Sequence, residues 1–256
     1  MEFLVIIPAR YASERLPGKP LREIAGKPMI QHVYERARAS GAAEVVVATD
    51  DERIERSVKA FGGDVCMTAT THRSGSERLA EVVASRGYPD QRVVVNLQGD
   101  EPLMPPQLIR QVAGDLHVNR KADLATLCSR IRSAAELFDP HIVKVVLDTA
   151  GYALYFSRAP IPWDRDAFAV TTERLPEKCE HYRHIGLYAY RAGYLAHYTT
   201  LPASPLERLE SLEQLRVLWH GGRIHVAEAE CSPGHGVDTE GDLQKAAKLL
   251  GAADFS

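Results

Sequence analysis

The chain reads as an α/β protein, a doubly wound and mainly parallel sheet. Three observations predict this. Short apolar runs rich in β-branched residues (3–7, 45–48 and 93–97) have the character of strands buried on both faces. The segments between them carry apolar residues at helical spacing. Strand and helix then alternate regularly, which implies right-handed crossovers and parallel pairing.

In order, Phe3 to Ile7 predicts the first strand, followed by a polar, Gly- and Pro-punctuated stretch to Pro28. Ile30, Val33, Tyr34 and Ala37 trace a helix that Gly41 can end. Val45 to Ala48 is the second strand, closed by Thr49-Asp50-Asp51, and Ile54, Val58 and Phe61 mark the next helix. Residues 64–67 form a short strand, Leu79, Val82 and Val83 lie on a helix, and residues 93–97 are a strand again, leading toward a helix near 105–117. Beyond that the pattern loosens. Residues 142–147, 153–156 and 185–190 look like strands with longer connections. Two helices, 205–220 and 239–250, flank a strand at 223–227. No composition shift marks a boundary, so residues 1–256 read as one domain with an inserted subregion at about 130–190.

At 256 residues the chain can bury a large core. Its net charge of −3 offers no basic field, so neither nucleic acid nor an anionic membrane is an expected partner. The N-terminal apolar run is too short and too acidic in its start for a signal peptide or membrane span, which makes the cytoplasm the expected compartment. Cys66, Cys128, Cys179 and Cys231 are widely spaced and read as free thiols. Cys179, His181 and His184 lack a fourth ligand at typical spacing, so zinc is not expected.

Ligands of such sheets sit beyond the carboxyl ends of the strands, where strand order reverses. After the first strand, Arg10, Arg15 and Lys19 fall within ten positions, with Gly18 beside the lysine. Such a loop suits a triphosphate, because glycine admits close backbone approach and the cations neutralise charge. A solvated basic loop has the same spacing. The dinucleotide fingerprint and the P-loop motif are both absent. Asp100 follows the 93–97 strand in Gln98-Gly99-Asp100-Glu101, where a hard oxygen ligand suits Mg²⁺ and where a helix cap would also fit. Asp238 follows Gly234-His-Gly236, whose glycines signal a close backbone approach, and with Thr239 could equally cap the last helix. Glu207, Glu210 and Gln214 line one side of the 205–220 helix, either as a hydroxyl-binding row or as a solvated face.

Several blocks resemble the sugar-nucleotide cytidylyltransferases, most nearly those acting on 3-deoxy-manno-octulosonate (KDO). They are Ile7-Pro-Ala-Arg-Tyr-Ala-Ser13, Arg15-Leu-Pro-Gly-Lys-Pro-Leu21, Gly26-Lys-Pro-Met-Ile30, Val47-Ala-Thr-Asp50, Ser74-Gly-Ser-Glu-Arg78 and Val95-Asn-Leu-Gln-Gly-Asp-Glu-Pro102. Later come Tyr152-Ala-Leu-Tyr-Phe-Ser-Arg158, Ile161-Pro-Trp-Asp-Arg165, His184-Ile-Gly-Leu-Tyr188, Glu213-Gln-Leu-Arg-Val-Leu218 and Pro233-Gly-His-Gly-Val-Asp-Thr239. The resemblance implies a Rossmann-like nucleotidyltransferase sheet with an inserted sugar-binding and dimerisation subregion. It implies transfer of CMP from CTP to KDO, giving CMP-KDO and pyrophosphate for lipopolysaccharide biosynthesis, in a homodimer. Relatives acting on an amino-KDO analogue or sialic acid, or a silent nucleotide-binding scaffold, are the alternatives.

By the same resemblance, Lys19, Arg10 and Asp100 are catalytic, and Asp100 and Asp238 share Mg²⁺. Pro8, Arg10, Ser13, Arg15, Lys19, Arg73, Ser74 and Arg78 fall to the nucleotide. Gln98, Arg158, Arg165, His184, Tyr188, Glu210 and Gln214 fall to the sugar.

Overall fold

The computed structural model describes residues 1–12, 16–72, 74–176 and 179–253. Its centre is β1 (Phe3–Ala9), in which all seven residues are buried. A β-branched strand of this kind stands at the middle of a sheet covered on both faces. Phe3, Val5 and Ile7 point into one core with Ile30 and Val33 of α1 (Met29–Ala39) and Leu108 and Val112 of α4 (Pro106–Val118). Leu4 and Ile6 point into the other, with Leu79 and Val82 of α3 (Gly75–Arg86) and Leu195 of α7 (Ala192–Thr200). The alternation of one strand thus builds both layers of the fold.

From β1 the chain makes a small hairpin, β2 (Glu23–Ile24) with β3 (Lys27–Pro28), then α1, then β4 (Glu44–Thr49). Asp51 caps α2 (Glu52–Ala60) and β5 (Asp64–Met67) follows. After α3, β6 (Val93–Asn96) returns to the opposite side of β1. Strands β4 and β6 both pair parallel to β1, so strand order reverses there. The carboxyl ends of β1 and β6 therefore flank a topological switch point.

The second half completes the sheet with β7 (Leu124–Arg130), β10 (Tyr182–Arg191) and β11 (Ile224–Glu228), giving the order β11-β7-β10-β6-β1-β4-β5. Only β10 in that path runs antiparallel to its neighbours. Between β7 and β10 come α5 (Ala134–Phe138), the hairpin of β8 (Lys144–Leu147) and β9 (Ala153–Ser157), and α6 (Arg165–Val170). The hairpin is joined to the sheet where β8 pairs with the start of β10.

Sequence reasoning missed β7 and α7 and saw only residues 185–190 of β10. Residues 124–130 lack the β-branched run that marked the other buried strands, and their place is set by β10 and β11 on either side. One expectation is corrected: residues 205–220 are not a single helix. They form α8 (Pro205–Glu210) and α9 (Gln214–Trp219), broken at Ser211, whose φ of 53° is left-handed. Across the break the Glu207 carboxylate, already part of the capping box that starts α8, also receives Arg216 from α9 and ties the two helices together. The chain ends in α10 (Glu240–Ala253).

Candidate active site

Four stretches of chain meet at the switch point around a cleft of about 880 Å³. Pro8, Ala9 and Arg10 line it from the end of β1, and Lys19 from the following loop. His72, Ser74, Gly75 and Arg78 come from the entry to α3; Gln98, Gly99 and Asp100 follow β6; Glu213 and Asp238 come from the last third of the chain. The loops after β1 and β6 lie so close that a Cβ on Gly99 would sit 3.0 Å from the Pro8 carbonyl oxygen. The turn after β4 reaches the cleft indirectly, through Asp50, which accepts a 2.9 Å bond from Arg78.

Lys19 begins a 3-10 turn, Lys19–Leu21, just after Gly18, whose φ of 65° is the left-handed conformation glycine adopts freely. Its Nζ donates to Asp100 Oδ2 at 2.7 Å and to Asp238 Oδ1 at 2.9 Å. Burial by itself would lower the ammonium's pKa; the two carboxylates outweigh it and hold it above the ordinary lysine value. Asp238 reaches this point because the strip before it lies directly on the loop after β6. Val237 donates its N–H to the Asp100 carbonyl at 2.8 Å, and a Cβ at Gly234 would overlap the Leu103 carbonyl. Glu101 stands behind the pair. Burial, with Asp100 and Asp238 nearby, pushes its carboxyl up to about 8.

Across the cleft, Ser74 caps α3, accepting from the Glu77 N–H at 3.3 Å. The Arg78 guanidinium is buried, bonded to Thr68 and Asp50, so it presents a fixed edge and not a mobile charge. Arg10 is exposed at the cleft wall. Ser13, Arg15 and Arg73 lie outside the described residues.

A second cavity of about 240 Å³ opens off the cleft and shares Gly75, Gln98 and Glu213 with it. Asn96, Tyr188, Tyr190, Tyr198 and Gln214 complete much of its wall. Gln98 donates to Asn96 at 3.2 Å, and the Tyr190 hydroxyl meets Ser76 and Asn96. Glu213 faces the solvent of the cleft yet is crowded by protein. That desolvation raises its pKa, with Arg216 opposing. This is a lining suited to a polyhydroxylated ligand, with fixed donors and acceptors on aromatic walls.

Of the residues expected at the sugar, Gln98, Tyr188 and Gln214 line this cavity. Glu210 does not. Its carboxylate accepts from Ser157 Oγ at 2.6 Å and from the Arg158 N–H at 2.9 Å, and its carbonyl accepts from Arg158 Nε. Arg158 also donates to the Pro140 carbonyl, so both residues clamp β9 to α8. Arg165 stands off the cleft on α6 with its side chain 91% exposed, paired to Asp166. His184 lies behind Tyr188 in the sheet, bonded to Thr126. Glu213, Asn96, Ser76 and Tyr190 were missed. Glu213 sits beside Gln214 in sequence, at the start of α9 just past the break at Ser211, and both line the cavity.

Two acids and a cation thus meet where strand order reverses in a doubly wound α/β sheet. The chain belongs to the cytidylyltransferase family, whose profile it matches over residues 4–224. It is 61% identical over 251 residues to the 3-deoxy-manno-octulosonate cytidylyltransferase of Nitrosococcus oceani, covering 98% of this chain and 97% of that one. The enzyme of the same description from Idiomarina loihiensis is also 61% identical, covering 98% and 99%. Among solved structures, a CMP:2-keto-3-deoxy-manno-octonic acid synthetase complexed with CTP superposes with a TM-score of 0.89 at 46% identity, covering 99% of this chain and all of that one. A cytidylyltransferase from Leptospira borgpetersenii shares the fold, with a TM-score of 0.59 at 16% identity over 98% of this chain and 86% of its own.

Proposed function

We propose that the chain transfers CMP from CTP to the anomeric hydroxyl of KDO, releasing pyrophosphate and supplying CMP-KDO for lipopolysaccharide biosynthesis. The carrying observation is the convergence of Asp100, Asp238 and Lys19 at the mouth of a cleft that continues into a hydroxyl-lined cavity. Full-length similarity to enzymes named for this sugar supports the same reading.

In this reaction the sugar oxygen bonds to the α-phosphorus as the bond to the pyrophosphate oxygen breaks, and the hydroxyl proton is lost. Positioning and charge stabilisation supply most of the rate in such a step. Pro8, Arg10, Ser74, Lys19 and Arg78 hold the nucleotide, with Lys19 and Arg10 countering the charge on the departing pyrophosphate. Ser13, Arg15 and Arg73 are expected on the same side. Gln98, Tyr188, Glu213 and Gln214 orient the sugar. Glu213 takes the place in this set that the sequence suggested for Glu210.

Asp100 and Asp238 would hold Mg²⁺. Two carboxylates already directed at one cation fit an ion that takes one or two carboxylates and fills its other positions with water and phosphate. When bound, the ion supplies Lewis acidity at the α-phosphate. Among the described residues no helix is long and apolar enough to cross a membrane. A cytoplasmic homodimer, assembled through the 140–190 region, is part of the proposal.

Pyrophosphate release from CTP and Mg²⁺ with a panel of acidic sugars tests the reading. Turnover with KDO above sialic acid is expected. Turnover with none of the sugars would overturn it in favour of a silent nucleotide-binding scaffold.

A further inference from the structure

Thr126 lies mid-strand on β7, fully buried, and its hydroxyl has three partners. Its Oγ1 is 2.9 Å from the Ile185 carbonyl oxygen, 2.9 Å from that of Leu187 and 3.0 Å from His184 Nε2. The two carbonyls can only accept. The single hydroxyl proton is therefore directed at them, and His184 must be the donor in the third bond. This puts a proton on His184 Nε2. Burial independently favours the neutral ring, pushing its pKa down to about 3.

The three bonds fall where the ladder between β7 and β10 is irregular. Ile185 pairs with Leu127, but the next pair is Tyr188 with Thr126, so Gly186 and Leu187 are extra on β10. Two extra residues preserve the side-chain alternation: Ile185, Leu187 and Ala189 stay in one core while Tyr188 and Tyr190 pack in the other. A bulge leaves backbone groups out of the ladder, and the Thr126 hydroxyl serves the carbonyls on either side of Gly186. His184, pinned by the same hydroxyl, lies against Phe156 at 5.0 Å and against Tyr188 at 5.3 Å between ring centroids. Tyr188 then forms a wall of the smaller cavity.

We propose that Thr126 is a positioning residue for the sugar side of the site, setting the bulge in β10 and the His184 tautomer and through them the placement of Tyr188. The proposal rests on the reading that the smaller cavity takes the acidic sugar. Thr126→Val keeps the shape and removes the hydroxyl; Thr126→Ser keeps the hydroxyl. In Thr126→Val the KM for KDO should rise about tenfold, the equivalent of one net hydrogen bond, with the KM for CTP little changed. Thr126→Ser should restore most of the loss. An unchanged KM for KDO in Thr126→Val overturns the proposal. So does an equal rise in both KM values with no recovery in Thr126→Ser.

A second measurement needs no sugar and no variant. Nitrogen-15 NMR of the wild-type protein should find His184 neutral with its proton on Nε2, and a proton on Nδ1 would sink the assignment. Absent turnover with wild-type protein would count against the functional reading, while the tautomer still decides the placement by Thr126.

Discussion

Val237 and Asp100 are joined by a backbone hydrogen bond of 2.8 Å, from the Val237 N–H to the Asp100 carbonyl. That bond ties the strip before α10 to the loop after β6 and delivers the next residue, Asp238, to the ammonium that Asp100 already holds. The crossing depends on backbones lying closer than side chains permit.

Gly234→Ala should therefore damage the site from a distance, because its Cβ would overlap the Leu103 carbonyl. We expect a lower melting temperature and a fall in kcat. Gly241→Ala, inside α10 with only Thr239 Oγ1 nearby at 3.7 Å, should be neutral or more stable by about 0.5–1 kcal/mol. Thermal melts and turnover on both variants check the contrast; equal behaviour would refute it.

Lys19→Ala should lower kcat by roughly 10²–10³ while changing the KM for CTP much less, since a donor acting on developing charge matters most in the transition state. Steady-state kinetics with CTP varied at saturating KDO decide this. A raised KM with kcat intact would make Lys19 a ground-state binder.

Asp100→Asn and Asp238→Asn should each raise the Mg²⁺ concentration needed for half-maximal rate. Because both carboxylates meet one cation, their effects should be strongly non-additive in a double-mutant cycle. Titrating Mg²⁺ against rate in the two single variants and the double measures the coupling. Simple additivity would mean that they act at separate points.

Glu213→Gln and Glu210→Gln should separate cleanly. Glu213 lines the cavity, so its variant should raise the KM for KDO with little loss of stability. Glu210 accepts from Ser157 and from the Arg158 backbone, so its variant weakens the clamp between β9 and α8. A cost of about 1–3 kcal/mol is expected there, read by denaturant unfolding, with a smaller effect on KM. The reverse pattern would return Glu210 to the sugar.

The site was partly legible before folding. Lys19 and Asp100 drew notice because each follows a strand whose apolar run announces it, but a solvated loop and a helix cap fitted equally well until the resemblance to cytidylyltransferases chose between the readings. The glycines before Asp238 hinted at a close crossing without saying what would be crossed. The sugar side was harder. Helical periodicity ran unbroken through residues 205–220 and placed Glu210 on the wrong side of a break that no local signal marks. Ser211 is left-handed between two helices that Glu207 and Arg216 tie together, a contact nine positions apart in sequence.

By itself, the sequence determined what local forces decide: buried strands, amphipathic helices, capped turns, and the loop chemistry that follows each strand. Alternating side chains commit each strand to two cores, and that commitment alone selects a doubly wound sheet. Only the tertiary structure decided which distant loops share a cation, which acid faces the cavity, and how β10 bulges around Thr126. These depend on backbones brought within hydrogen-bond reach by the packing of whole layers. No window of neighbouring residues contains that distance.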